Sequence, residues 1–141
     1  MTPGEISEFF NQRDAVWNRH DFEALAADHA EDGEVESPLG GTVKGRPAIQ
    51  NIYREWLASF PDVECRTEYL LIAGDRAVQI VKMLGTQKGD FCGLAPTGRC
   101  FEVRCVFIFF LAGNKIAREI RIYDFTGLLL RLGVLKAKPA F

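Results

Sequence analysis

Cys100-Phe101-Glu102-Val103-Arg104-Cys105-Val106-Phe107-Ile108-Phe109-Phe110-Leu111, a turn at Gly113-Asn114, and the return Lys115-Ile116-Ala117-Arg118-Glu119-Ile120-Arg121-Ile122-Tyr123 decide the fold. Aromatic and β-branched residues crowd both runs, as a pleated, partly buried surface favours, and Gly-Asn suits a tight reverse turn. Two long antiparallel strands are expected, Gly98 to Leu111 and Lys115 to Tyr123. Upstream, Val63 to Ile72 and Ala77 to Thr86 flank a turn at Gly74-Asp75 and extend the pair into a meander.

The N-terminal half reads differently. Ile6, Phe9, Phe10, Arg13, Val16 and Trp17 recur at spacings of three and four, which predicts an amphipathic helix over about Ile6 to Arg19. Asp21 is placed to cap a second short helix reaching His29, and Glu34 to Ser37 opens a small hairpin with Gly40-Gly41 at its turn. A third helix is expected from Arg46 to Phe60. Pro47 fits its first turn, Ile49, Ile52, Tyr53, Trp56 and Phe60 form its apolar stripe, and Pro61 ends it. A last helix, Phe125 to Leu132, stops at Gly133. Helices, hairpin, helix and long meander in that order predict an α+β fold: a curved antiparallel sheet, with the N-terminal helices capping an apolar pocket.

With 141 residues, 48% of them hydrophobic, the chain is expected to be one domain over 1–141 with a substantial core. The formal charge is −2 and the cations are scattered singly, so nucleic acid is not an expected partner. No run reaches the roughly 18 apolar residues that cross a bilayer, and Met1-Thr2-Pro3-Gly4-Glu5 does not resemble a signal peptide, which points to the cytoplasm. Cys65, Cys92, Cys100 and Cys105 lack C-x-x-C spacing and read as buried reduced thiols, with no metal site. His20 and His29, among acidic neighbours, read as a solvated helix surface.

Strand alternation puts Asp124 on one face with Ile122, Ile120, Arg118 and Ile116, so its carboxylate is expected at the end of an apolar row lining the pocket. There, desolvation would raise its pKa into the range useful for exchanging protons with a carbon acid. Asp is also a preferred N-cap, and Asp124 directly precedes a predicted helix. Arg118 reads as a pocket counter-ion or a charge at the strand end. Trp17, Tyr53, Trp56, Phe60 and Phe91, with Ile120 and Ile122, are the expected pocket walls. No H-E-x-x-H, Gly-rich phosphate loop or G-x-S-x-G elbow is present, so no cofactor is expected.

Phe60-Pro61-Asp62, Gly74-Asp75-Arg76, Gly93-Leu94-Ala95-Pro96-Thr97-Gly98-Arg99, Asn114-Lys115-Ile116 and Tyr123-Asp124-Phe125 running into Gly127-Leu128-Leu129-Leu130-Arg131-Leu132-Gly133 together resemble the SnoaL-like polyketide cyclase family. The resemblance spans nearly the whole chain. It implies the cone-shaped nuclear-transport-factor-two-like α+β barrel, commonly a homodimer across the outer sheet. It also implies cofactor-free aldol-type ring closure of a hydrophobic polycyclic ketone or ester, with the aspartate matched by Asp124 as general acid and base. The alternative is a non-catalytic protein of the same fold that binds a small hydrophobic ligand. Two departures stand out. Val106 and Phe107 follow Arg104 where a related epoxide-hydrolase branch carries an acid, and Ile120, Arg121 and Ile122 occupy a stretch where relatives carry a histidine or other polar group.

Overall fold

Thr2 and Glu5 satisfy each other's backbone amides, Thr2 N to Glu5 Oε2 at 2.7 Å and Glu5 N to Thr2 Oγ1 at 3.2 Å, a reciprocal cap that starts α1 (Pro3–Asn18). The computed structural model describes residues 1–136. Within them α1 is followed by α2 (Phe22–Ala27), β1 (His29–Ser37), β2 (Gly41–Lys44), α3 (Arg46–Ser59), β3 (Glu64–Ala73), β4 (Arg76–Thr86), β5 (Cys100–Ala112), β6 (Lys115–Tyr123) and α4 (Phe125–Arg131). The α+β class and the order of elements agree with the sequence reading. Asp21 caps α2 as expected, its carboxylate accepting from Ala24 N at 3.0 Å.

One curved six-stranded sheet has the order β2-β1-β6-β5-β4-β3. The expected antiparallel meander forms from β3 to β6, and β1 joins it by pairing with β6 in parallel. β1 also begins at His29, inside the segment read as helix. His29 is fully buried, not on a solvated surface. Its burial follows from parallel pairing in the sheet's interior, a non-local contact with no local sequence signature.

The inner face is built of cross-strand rows. Ala77, Phe109 and Glu119 form one, Gln79, Phe107 and Arg121 the next, and Val81, Cys105 and Tyr123 a third. α1 turns Ile6, Phe10, Arg13, Val16 and Trp17 inward, and α3 turns Ile49, Tyr53 and Leu57 inward. The outer face carries Tyr69, Ile80, Val106 and Ile122 in one row and Leu71, Val78, Ile108 and Ile120 in another.

Residues 87–99 cross from β4 to β5. The buried Gln87 side chain organises them, donating to Ala95 O at 3.2 Å and accepting from Thr97 Oγ1 at 2.8 Å. Lys88 N and Gly89 N donate to Ser59 O, tying this segment to the end of α3. At Gly89 a Cβ would lie 2.2 Å from Ala58 O, so only glycine permits the approach.

All four cysteines are free. Cys65 and Cys105 are buried as expected, whereas Cys92 and Cys100 are exposed. Cys92 sits on a turn tip with φ +52°, and Cys100 is the first, outward-facing residue of β5.

Candidate active site

Between α3 and the inner face lies a cavity of about 530 Å³, inside the usual range for small-molecule sites. Trp17, Met83, Cys105, Phe107, Arg121 and Tyr123 form its deep wall, and Ile52 and Trp56 of α3 its flank. Its mouth is bordered by exposed residues: Leu39 and Gly40 of the β1–β2 turn, Glu55 of α3, and Asp90, Cys92 and Gly93. Phe91 tucks inward beneath that mouth. Its amide and carbonyl pair with Leu94, and its ring meets Phe60 at 5.0 Å and Trp56 at 5.8 Å.

Of the residues expected to wall the pocket, Trp17, Trp56 and Phe91 do so. Phe60 lies behind them, fully buried, with its ring 4.8 Å from Trp56. Tyr53 is also fully buried, within a polar cluster beneath the cavity. Arg118, Ile120 and Ile122 lie on the outer face, and Ile122 is 52% exposed. Asp124 is exposed and is not among the lining residues. Its Oδ1 accepts from Gly127 N at 2.9 Å, capping α4.

A bulge accounts for this inversion. Phe110 pairs with Arg118 but Leu111 pairs with Ile116, which leaves Ala117 as an extra residue in β6. One extra residue exchanges the two faces of everything beyond it. Ile116 points inward as expected. After the bulge Glu119, Arg121 and Tyr123 point inward instead of Arg118, Ile120 and Ile122.

The inward charges form a cluster the sequence reading did not anticipate. Arg121 donates from Nε and Nη2 to the two oxygens of Glu119, at 3.2 and 3.3 Å. Glu119 accepts from the Tyr53 hydroxyl at 3.3 Å and lies 3.5 Å from His29 Nε2. Arg13 donates to the Tyr53 hydroxyl, to Leu25 O at 3.0 Å and to Asp28 Oδ2 at 3.1 Å. Tyr53 thus receives from Arg13 and gives its single proton to Glu119. His29 Nε2 lies 2.9 Å from the same hydroxyl and 3.5 Å from Arg13 Nη2, and its Nδ1 is buried with no hydrogen-bond partner among the described residues.

Burial pushes His29 down to about 3, and the Arg13, Arg121 and Arg46 charges add to this against the pull of Glu119, so the imidazole is neutral. Burial alone would raise Glu119, but the Arg121 charge with its hydrogen bonds, and the Arg13 charge, outweigh it and hold the carboxyl down at about 2. Tyr53 is pushed up to about 12 by burial, against the pull of Arg13. Tyr123 is likewise pushed up to about 12 by burial, against the pull of Arg121, and stays a phenol. Burial also takes Cys105 up to about 12, so it offers a thiol and not a nucleophilic thiolate. Among the described residues no group of three His, Cys, Asp or Glu is placed to hold a metal ion.

A signal for this cluster was present in Arg13. A cation at a position of the apolar stripe of α1 must be buried with a partner, and the partners lie on β1, α3 and β6.

The fold and cavity define a class: a helix-covered cone of sheet enclosing a mostly apolar cavity. The chain belongs to the SnoaL-like polyketide cyclase family, whose model matches residues 8–132. Among solved structures it is similar to AclR, a candidate hydroxylase from Streptomyces galilaeus, with 23% identity over 97% of this chain and 90% of that one and a TM-score of 0.84. A candidate SnoaL-like polyketide cyclase from Jannaschia sp. CCS1 is 17% identical over 96% and 98% of the two chains, with a TM-score of 0.83. IdmH, a candidate polyketide cyclase from Streptomyces antibioticus, is 24% identical over 90% and 97%, with a TM-score of 0.75. At these identities the likeness establishes the fold. A search of curated proteins gave no match.

Proposed function

We propose that this protein is a cofactor-independent cyclase or isomerase acting on a flat, mainly apolar molecule that carries a ketone or ester. One observation carries the reading: an apolar cavity of about 530 Å³ whose lining carboxylates, Glu55 and Asp90, both stand at the mouth. Glu55 accepts from Asn51 Nδ2 at 3.1 Å, whereas the Asp90 carboxylate has no hydrogen-bond partner among the described residues. Both Asp90 carboxylate oxygens are therefore open to a ligand at the mouth.

In an aldol-type closure Asp90 takes the proton from a carbon alpha to a carbonyl, and the C–H electron pair becomes the enolate. The enolate carbon bonds to a second carbonyl carbon, and the proton returns to the new alkoxide. No electrons are gained or lost overall, so no redox partner is needed. Apolar walls restrict the ligand's orientations and bring the two carbons together. The role expected for Asp124 passes to Asp90, because Asp124 holds an α4 amide and is not part of the cavity wall.

The test uses 2-tetralone in D₂O, with alpha-proton exchange followed by proton NMR. Exchange well above the buffer rate, lost in Asp90→Asn and kept in Asp124→Asn, supports the proposal. A bound probe exchanging only at the buffer rate would overturn it. The non-catalytic binding reading would then stand, favoured by the lack of any carboxylate on the deep wall among the described residues.

We also propose a homodimer through the outer sheet. Its two four-residue apolar rows leave Tyr69 61%, Leu71 60% and Ile122 52% exposed, a contiguous patch of the kind that marks a protein interface. Opposed copies of this patch are self-complementary, as two-fold symmetry requires.

A further inference from the structure

Arg121 and Tyr123 stand two residues apart on the inner face of β6, so both side chains enter the deep wall of the cavity from one side. Glu119 occupies Nε and Nη2 of Arg121, and Nη1 has no partner among the described residues. The Arg121 side chain is 12% exposed, and it lines the cavity. The Tyr123 hydroxyl also has no hydrogen-bond partner among the described residues, and burial keeps it protonated. Arg121 Nη1 and the Tyr123 hydroxyl can thus both donate to a group in the cavity.

The charges beside the cavity floor are paired one to one, Arg13 with Asp28 at 3.1 Å and Arg121 with Glu119 at 3.2 Å, and His29 is neutral. Of these groups only the Arg121 guanidinium lines the cavity, and its pairing leaves Nη1 without an acceptor among the described residues. In a low-dielectric wall a cationic N–H favours an anionic acceptor.

We propose that the inner end of the ligand is an ionised oxygen acid conjugated to a flat ring, an enolate or a carboxylate, that accepts hydrogen bonds from Arg121 Nη1 and the Tyr123 hydroxyl. This rests on the cavity being the ligand site but not on turnover. It narrows the substrate class from neutral ketones and esters to molecules carrying an acid at the end remote from the mouth carboxylates. The acid end anchors, and the reacting end is left near Asp90. Charge-assisted bonds to Arg are directional and strong enough to impose that orientation.

The probes are 2-hydroxy-1,4-naphthoquinone, ionised at neutral pH, and its neutral 2-methoxy analogue, with 2-naphthoate and its methyl ester as the carboxylate pair. Binding is followed by calorimetry and by quenching of tryptophan fluorescence. An anion should bind at least about tenfold more tightly than its neutral partner, the difference a hydrogen bond to a charged group supplies. Preference within the naphthoquinone pair assigns an enolate, preference within the naphthoate pair a carboxylate, and either supports the proposal.

Tyr123→Phe removes a hydroxyl with no partner among the described residues, so it should leave Tm unchanged and weaken only the anion, by several-fold. The double variant Arg121→Gln/Glu119→Gln, which leaves no lone buried charge, should abolish the preference. Equal binding of charged and neutral probes overturns the proposal. Binding of none of the four overturns it together with the cavity reading, whereas anion preference without tetralone exchange overturns the cyclase reading alone.

Discussion

Arg121 grips Glu119, its second neighbour along β6, through two hydrogen bonds, and that pair holds the cavity-facing guanidinium in place above Tyr53, its Cζ 4.8 Å from the ring centroid. A strand normally turns residues i and i+2 to one face, so the pair depends on the bulge at Ala117 for its inward direction.

Glu119→Gln should destabilise the fold by about 3 kcal/mol or more, because it leaves the Arg121 charge without its fully buried counter-ion. Adding Arg121→Gln should cost much less than the sum of the single changes, with a coupling of about 1–3 kcal/mol. Urea unfolding of the four proteins measures the cycle. Additive effects would show that the pair does not act as a unit.

The same cluster makes stability fall in acid. The folded His29 lies at about 3 against an ordinary 6.5, and Glu119 at about 2 against 4.5. Both folded values are depressed, so at intermediate pH the unfolded chain binds more protons and stability declines as pH falls. His29 contributes from 6.5 downward and Glu119 from 4.5 downward. Between about pH 6.5 and pH 4.5 ordinary carboxylates stay ionised, so unfolding free energy there should decline with close to one proton's slope in the wild type. It should be nearly flat in His29→Asn. A flat wild-type profile in that window would mean that His29 accepts a proton in the folded protein.

Legibility in the sequence followed the range of the interactions. Asp21 and Asp124 as caps, Pro47 in a first turn and Gly113-Asn114 as a reverse turn are all set by neighbours within about four residues. The helices and antiparallel strands they bound therefore matched within a few residues. β1 was legible only at its hairpin end. Its buried half, from His29, is made by parallel pairing with a strand more than eighty residues away. The site failed at a single residue. Apolar alternation over Ile116, Ile120 and Ile122 implies an apolar inner row, but Ala117 shifts the phase. The polar members then face inward because they pair with one another, and the apolar ones face outward.

Asp124 offers a direct comparison of cap and catalyst. Asn is as good an N-cap as Asp, so Asp124→Asn should change stability by only a few tenths of a kcal/mol, whereas Asp124→Ala should cost about 1 kcal/mol. Both variants should exchange tetralone protons at the wild-type rate when saturated with probe. Loss of exchange in Asp124→Asn with unchanged stability would return the proton-transfer role to this residue.

The outer face makes the last prediction. Ile122 sits at the end of the row Tyr69-Ile80-Val106-Ile122, and its side chain has no inward contact to lose. Ile122→Lys should leave the fold intact but place two cations within reach of each other across a two-fold interface, next to apolar surface that desolvates them. Light scattering coupled to gel filtration at tens of micromolar should find a dimer for the wild type and a monomer for Ile122→Lys, with unchanged far-UV circular dichroism. Arg118, with its Cζ 5.5 Å from the Phe110 ring, borders the patch, so Arg118→Glu should weaken the dimer less than Ile122→Lys. A wild-type monomer at that concentration would refute the interface, and the exposed rows would then need another partner to cover them.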